Sequence, residues 1–489
     1  MQNNMENKNE KLFCRFRSTS ALLDKFHELE NEEIYFSTVK DLNDPLEEYM
    51  DLSFDGDEIL WTNFFQNYLF CLFVFRTILM LTGDGKELTS DDIHTYFDPE
   101  RKTFLSVEGH SYKVACDEIF ANSVIQKIIN YFSNREEAIS EDELLLFLQY
   151  LHLYFLDVFA KIDLEKGLIK QSPGNCLQQS ETQLEKFGSI IDGISEDESN
   201  YLHLKALYKL TNTITDSYKY LRQLENTGNS GIVMKNSQLL LDYPKYYIKK
   251  LSEIMYPKPY ITCFSENYKD LSMWGYYADS GKGVCLIYKP KVVNGNFYIP
   301  LKIPHTRTQD FTDMQLKPVS YEKQKPLTPF FRSLGRLNFP MLEKHWYSLN
   351  GKKSKLVEDL FNDKGIDKWR HHYWEHMENS TNIKHICWRH EQEYRIALIP
   401  VLDDTCDTIE KRKIKYNFQN LYGLIFGVNT NESDKLRIIK IIQEKCVKYK
   451  RNDFMLFQAV YNNAKGEIDI MPLNVLKYVI DFDEQKILK

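Results

Sequence analysis

Strand-like patterns stand at both ends of this chain and are interrupted by about 200 residues that read almost wholly as helix. That interruption is the strongest constraint on the fold. A sheet with a strand near residue 13 and others beyond residue 260 must let the intervening block loop out, and that block then has to bury its apolar faces in its own core. The expected architecture is α+β: a mixed or antiparallel sheet module, residues 1–56 and 257–489, with an all-α insertion at 57–256.

The elements follow from periodicity. Leu12 to Arg17 alternates and places Arg15 and Arg17 on one face; Ser18, Thr19 and Ser20 offer a cap for a helix carrying Leu22, Leu23, Phe26 and Leu29. Ile34 to Ser37 reads as a strand and Asp41 to Pro45 as a turn. In the insertion, Ser140 and Glu143 form a capping-box pattern ahead of Leu144 to Phe159, and apolar stripes mark Tyr201 to Leu224 and Ser237 to Met255. Gln171 to Asn175 and Asn226 to Gly231 read as polar linkers. Later strands are expected at Tyr260–Ser265, Val284–Tyr288, Val319–Tyr321, Tyr394–Ile399, Leu424–Phe426 and Met455–Val460, with helices at Asp270–Ala278, Met341–Tyr347, Val357–Glu378 and Glu432–Glu444. Scattered helices among strands favour α+β over a doubly wound sheet.

With 43% hydrophobic and 27% charged residues the chain has the balance of an ordinary globular protein, and a net charge of −8 with interspersed signs gives duplex nucleic acid no broad electrostatic footprint. Nine cysteines without a C-x-x-C pair point to reduced thiols, and the polar stretch Met1 to Lys11 argues against a secretory signal, so a cytoplasmic location is expected. Leu60 to Leu81 approaches membrane-spanning length. Asn63, Gln66, Asn67 and Arg76 interrupt it, and a buried helix with no membrane partner is the expectation.

Neither G-x-x-x-x-G-K-S/T nor G-x-G-x-x-G occurs, and there is no G-x-S-x-G elbow, which sets aside the common phosphate loops and serine hydrolases. His372, Glu375 and His376 match H-x-x-E-H, a zinc-peptidase spacing, but no third ligand is recognisable and an amphipathic helix explains the same residues. No metal is expected.

Three groups of residues occur in a telling order. The first is Arg17 with Tyr35-Phe36-Ser37 and Asn43-Asp44-Pro45; the second is Cys263-Phe264-Ser265 with Met273-Trp274 and Tyr277-Ala278; the third is Trp388 with Glu391, Glu393 and Arg395. In this the chain resembles a large, largely uncharacterised family of bacterial and phage-associated proteins, over about Lys11 to Glu48 and Tyr260 to Val460. The family's layout is in turn similar to that of ADP-ribosyltransferases. The resemblance implies an NAD-using transferase of a toxin or phage-defence kind, with a dinucleotide ligand and an unknown macromolecular acceptor or trigger engaged through the insertion.

The residue chemistry can be read beside that resemblance. Glu391 and Glu393, two apart at a strand start, share a face, where repulsion raises one of them unless Arg17 or Arg395 offsets it. Such carboxylates are suited to stabilising positive charge at a ribose carbon, as in glycoside cleavage. Trp274 and Tyr277, one helical turn apart, are placed to stack on a flat ring. Ser37 and Asn43 suit an amide or ribose hydroxyl, Arg17 suits pyrophosphate, and Tyr35, Asp44 and Arg395 complete the expected binding set. Each residue alone also has a structural reading: a surface ion pair, a buried ring or a turn. Two rival functions remain open, a ligand-sensing module of a defence system without turnover and a metal-dependent hydrolase built on His372, Glu375 and His376.

Overall fold

In the computed structural model, residues 11–47, 49–82, 92–95, 108–169, 176–196, 199–225, 238–303, 310–360, 365–400 and 406–476 are described. The linkers expected at 171–175 and 226–231 lie outside them. The chain divides into two compact units, a sheet unit of Met1–Tyr49, Lys258–Lys325 and Glu378–Lys489, and a helical unit of Met50–Pro257 and Pro326–Met377.

The sheet unit is built on strands β1 Phe13–Arg17, β2 Glu33–Tyr35, β3 Ser37–Thr38, β4 Tyr260–Ser265, β5 Val284–Tyr288, β6 Lys291–Val293, β7 Asn296–Lys302, β8 Thr312–Pro318, β9 Glu393–Leu398, β10 Lys413–Tyr416, β11 Leu421–Phe426, β12 Met455–Asn462 and β13 Glu467–Leu473. They run in the order β2-β10-β7-β8-β9-β4-β1-β5-β11-β12-β13, with β3 also on β4 and β6 on β7. Every pairing is antiparallel except that of β11 with β12, so the sheet is mixed. A parallel pair needs a crossover, and the helix Glu432–Lys448 supplies it. Two apolar clusters cover the two faces. Phe13, Phe264, Leu286 and Tyr288 belong to one, Cys14, Phe16, Met273, Trp274, Cys285 and Ile287 to the other.

Some local expectations change. The helix expected over Leu22 to Leu29 is a π turn, Ala21–Lys25, followed by a short helix, Glu28–Asn31, with His27 between them in the left-handed region. The stripe Ser237 to Met255 breaks into Gln238–Asp242, Tyr243–Lys250 and Ser252–Met255, with Pro244 in the first turn of the middle helix.

The helical unit carries the long helices Glu58–Thr82, Glu141–Glu165, Cys176–Glu196 and Ser199–Glu225. Ser140 caps the second of these by accepting from the Glu143 amide at 3.3 Å, while the Glu143 carboxylate turns to Arg135 at 2.8 Å instead of completing the box. Residues 326–377, which the sequence reading leaves with the sheet module, belong to this unit. The physical reason is aromatic: Phe331 and Phe132 both pack on Trp61, at 5.4 and 4.5 Å between ring centroids. Two helices, Glu58–Leu81 and Glu141–Glu165, are long and apolar enough to cross a membrane by length and composition. In each, 67% of the most apolar window is buried within the protein. Three of the polar groups along the first are paired: Asn63 donates to the Trp346 carbonyl at 2.7 Å, Asn67 donates to the Thr95 carbonyl at 2.7 Å, and Arg76 meets Asp163.

Candidate functional site

The site arises from an irregularity in strand pairing. One edge of β4 is fully used by β9, from Tyr260 opposite Leu398 to Ser265 opposite Glu393. The other edge is shared: β1 takes Ser265 through Cys14, and β3 takes Tyr260 and Ile261 through Thr38 and Ser37. Between those contacts, at Thr262 to Phe264, the edge of β4 carries no strand partner, and a cavity of about 290 Å³ opens there. Arg17, Tyr35, Ser37, Asn43, Tyr277, Glu391 and Glu393 all line it. Asp44, Trp274 and Arg395 do not.

Register assigns these side chains to faces. Cys14, Ser265 and Glu393 are mutually opposite and so share a face, and alternation adds Phe16, Cys263 and Arg395 to it. Arg15, Arg17, Phe264 and Tyr394 take the other. The cavity at the parted strands is therefore lined from both faces, an arginine side and a carboxylate side.

On the arginine side, Glu28 is buried and accepts from Arg15 Nη1 at 3.0 Å and Arg17 Nε at 2.9 Å, while Arg15 Nη2 donates to the Tyr35 carbonyl at 3.1 Å. Burial lowers the Arg17 pKa, and repulsion from Arg15 adds to this against the pull of Glu28. The Tyr35 ring stacks on Phe26 at 4.8 Å.

On the carboxylate side, the turn Ile386–Glu391 meets β9 at Gln392, whose φ of 44° is left-handed. This kink lets Glu391 and Glu393 approach one cation. Lys384 Nζ lies 2.6 Å from Glu391 Oε2 and 3.1 Å from Glu393 Oε2. Tyr277 donates its hydroxyl to Glu391 Oε1 at 2.6 Å, and Arg395 Nε reaches Glu393 Oε1 at 2.8 Å. Arg395 is held in turn by the Thr381 carbonyl at 2.6 Å and by Glu47. Burial alone would raise Glu393, but Arg395 and Lys384 outweigh it and hold the carboxyl at about 2. Glu391 moves the other way: its burial prevails over Lys384 and the Tyr277 hydrogen bond, and the nearby Glu393 charge adds to the rise.

Several expected roles change. Trp274 is core: its ring meets Phe16 edge-on at 5.0 Å and its Nε1 donates to the Tyr268 carbonyl at 2.9 Å, because the helix Leu271–Tyr277 turns Met273 and Trp274 toward the sheet. It is not available to stack on a ligand; Tyr276 and Tyr277 line the cavity instead. Asp44 is buried and builds a turn, its Oδ1 accepting from the Leu46 amide at 3.0 Å, and that turn delivers Glu47 to Arg395. Arg395 is bound up in ion pairs behind the cavity. Sequence reasoning missed Glu28, Glu47 and Lys384, whose partners lie 11 to 348 residues away or across a tight turn. The one available signal was charge: a lysine shortly before two glutamates at a strand start.

His372 and Glu375 stand 3.6 Å apart on an exposed helix face. Among the described residues no group of three or more histidine, cysteine, aspartate or glutamate side chains is arranged to hold a metal ion. The eight cysteines whose side chains are described are unbridged.

Residues 273–396 match the model of a family described as a protein of unknown function, DUF2971. That stretch contains Tyr277, Lys384, Glu391, Glu393 and Arg395 but not the N-terminal residues of the cavity. Neither a curated protein nor a solved structure matches the chain.

Proposed function

We propose that the sheet unit is an ADP-ribosyltransferase-like enzyme that takes NAD as its glycosyl donor. One observation carries this reading: a single cavity gathers the Glu391–Glu393 pair together with Arg17, Ser37 and Asn43, residues more than 340 positions apart in the chain. At about 290 Å³ it sits at the lower edge of the usual small-molecule range, roughly 300–1,000 Å³, and suits one nucleoside-sized half of a dinucleotide.

The chemistry follows from the charges. Asp44, Glu47, Glu391 and Glu393 face three cations, Lys325, Lys384 and Arg395, so the fully ionised cluster has one uncompensated negative charge. That favours positive charge developing at the ribose carbon as the C1′–N bond breaks and nicotinamide leaves with the electron pair. Glu393, kept ionised, supplies the fixed charge. Glu391 is suited to take the proton that an acceptor hydroxyl loses as its oxygen bonds to C1′. Arg17 offers the anion contact, and Tyr277 or Tyr276 a ring face for the base.

The test is release of nicotinamide from labelled NAD, with and without a chelator. Glu393→Gln keeps shape and removes charge, so turnover should fall roughly 100-fold or more while NAD still binds. Wild-type rates in that variant would overturn the assignment. A second reading draws on the fact that both carboxylates already have protein partners, as in a structural ion network. NAD binding without any nicotinamide release would make the unit a ligand sensor of a defence system, and activity lost to the chelator would favour the hydrolase.

A further inference from the structure

We infer that Lys384 is the positioning residue of the carboxylate pair, the cation that lets Glu391 and Glu393 share one cavity wall in a fixed geometry; the catalytic part of this inference rests on the transferase reading above. Lys384 lies on the short strand Ile383–His385, which pairs in parallel with Ser320–Glu322. This attachment is separate from β9, so the amine is brought to the carboxylates by a different element from the one that carries Glu393. Its side chain is buried, and its Nζ spans 2.6 Å to Glu391 and 3.1 Å to Glu393.

Without a cation at that point the arrangement fails on electrostatics. Two carboxylates in one buried wall repel each other strongly enough to drive one to the neutral form. Arg395 cannot substitute, because its guanidinium is committed to Glu393, Glu47 and the Thr381 carbonyl and makes no hydrogen bond to Glu391. Tyr277 reaches only Glu391. Among the described residues, Lys384 alone is hydrogen-bonded to both carboxylates.

The same geometry excludes a nucleophilic lysine. The carboxylates outweigh burial and hold Lys384 above its ordinary pKa, so the amine stays protonated. Its place 4.8 Å over the Trp388 ring also favours the cation. A lysine donates three hydrogens, two of which go to the carboxylates, and the residue lines the cavity. The titratable and charged groups around it are Glu391, Glu393 and Arg395 from the β9 end, Tyr277 from the helix, Cys263 from β4 and Tyr321 from the paired strand.

The experiment has one arm that needs no substrate. In the full chain labelled with carbon-13 at the glutamate carboxyls, and with Glu391→Gln for assignment, the Glu391 titration midpoint is followed in wild type, Lys384→Gln and Lys384→Arg. Losing the cation should move it up by about one pH unit or more, and Arg should return it most of the way. In the second arm, nicotinamide release by Lys384→Gln should fall about tenfold or more in kcat with KM within about twofold, again recovered by Arg, because a Glu391 driven to its neutral form cannot take the acceptor's proton in the transition state. A midpoint that does not move overturns the inference, as does a rate loss that Arg fails to recover. Should Lys384→Gln not fold, nitrogen-15 titration of the Lys384 amine answers the same question. Its midpoint should drop in Glu391→Gln relative to wild type, and an unchanged value overturns the proposal. Absence of NAD turnover in wild type defeats the transferase reading alone, since the titration arm still decides what Lys384 does.

Discussion

His152 sits at the centre of the helical unit with both ring nitrogens engaged: Nε2 is 2.6 Å from the Leu239 carbonyl and Nδ1 is 2.9 Å from the Tyr68 hydroxyl. A carbonyl only accepts, so Nε2 carries the proton and Nδ1 accepts from Tyr68. Burial favours this neutral ring and pushes its pKa from 6.5 down to about 4. The sign follows from linkage. The unfolded chain binds the extra proton first, so the contribution of His152 is complete above pH 6.5 and is lost as pH falls toward 4. Between pH 7 and 4.5 this one residue should cost roughly 2–3 kcal/mol of stability. His152→Gln should flatten the stability–pH curve by that amount relative to wild type in denaturant unfolding at the two pH values. Parallel curves would show that the ring is protonated or solvated in the fold. At the same scale, the Glu391–Glu393 pair was legible because two carboxylates around one residue at a strand start announce themselves. Lys384, Glu28 and Glu47 were not, because a buried ion pair is a property of the folded neighbourhood and any one of them in sequence looks like a surface charge. Trp274 shows the converse: a ring one helical turn from a cavity residue faces either the ligand or the core, and spacing does not distinguish the two.

Gly283 controls how two elements meet. A Cβ there would lie 2.2 Å from the Arg17 carbonyl oxygen and 3.0 Å from the Ala278 backbone, so the space is closed by main chain that has no rotamer to yield. Its own groups are all used, with the amide donating to Ala278 at 2.7 Å and the carbonyl accepting from the Gly427 amide at 3.0 Å and the Thr430 hydroxyl at 2.7 Å. Gly283→Ala must force β1 from β5 just where Arg17 faces Val284. The expected loss is about 1–3 kcal/mol by denaturant unfolding, and on the transferase reading proposed above NAD binding should weaken as well, through the displaced Arg17. An unchanged unfolding midpoint would mean that the strands part there at little cost. Strands that cross the core declared themselves in sequence: β1, β4, β5, β9, β11 and β12 carry apolar or alternating runs. The strands of this sheet that were missed are β6, β7, β8, β10 and β13. Lys291–Val293 is exposed throughout, Thr312–Pro318 is mostly polar, and Asn296–Lys302 and Glu467–Leu473 each contain a proline. Such strands are held by neighbours rather than by their own pattern.

The sheet unit is assembled from three separate stretches of chain and the helical unit from two. The interruption of strand pattern by helix is visible in sequence; the return of 326–377 to the helical unit is not, since Phe330, Phe331 and Trp346 reveal their partners only when Trp61 and Phe64 are beside them. The split has a consequence for folding. β1 lies inside the sheet, with β4 on one edge and five residues of β5 on the other, and it carries Arg15 and Arg17 to Glu28. Removing the first 17 residues therefore leaves two unpaired strand edges, an uncompensated buried carboxylate at Glu28 and cavities in both apolar clusters, each a large loss against a stability of order 10 kcal/mol. The helical unit contains no part of that stretch, and its aromatic core is its own. The truncated chain should thus keep the far-ultraviolet helical signal and the protease resistance of the helical unit, while the sheet unit becomes readily cleaved and, on the transferase reading proposed above, NAD no longer binds. A truncated chain that loses helix and sheet together would show that the two units fold as one; one that retains both would show that β1 closes the sheet without being needed to form it.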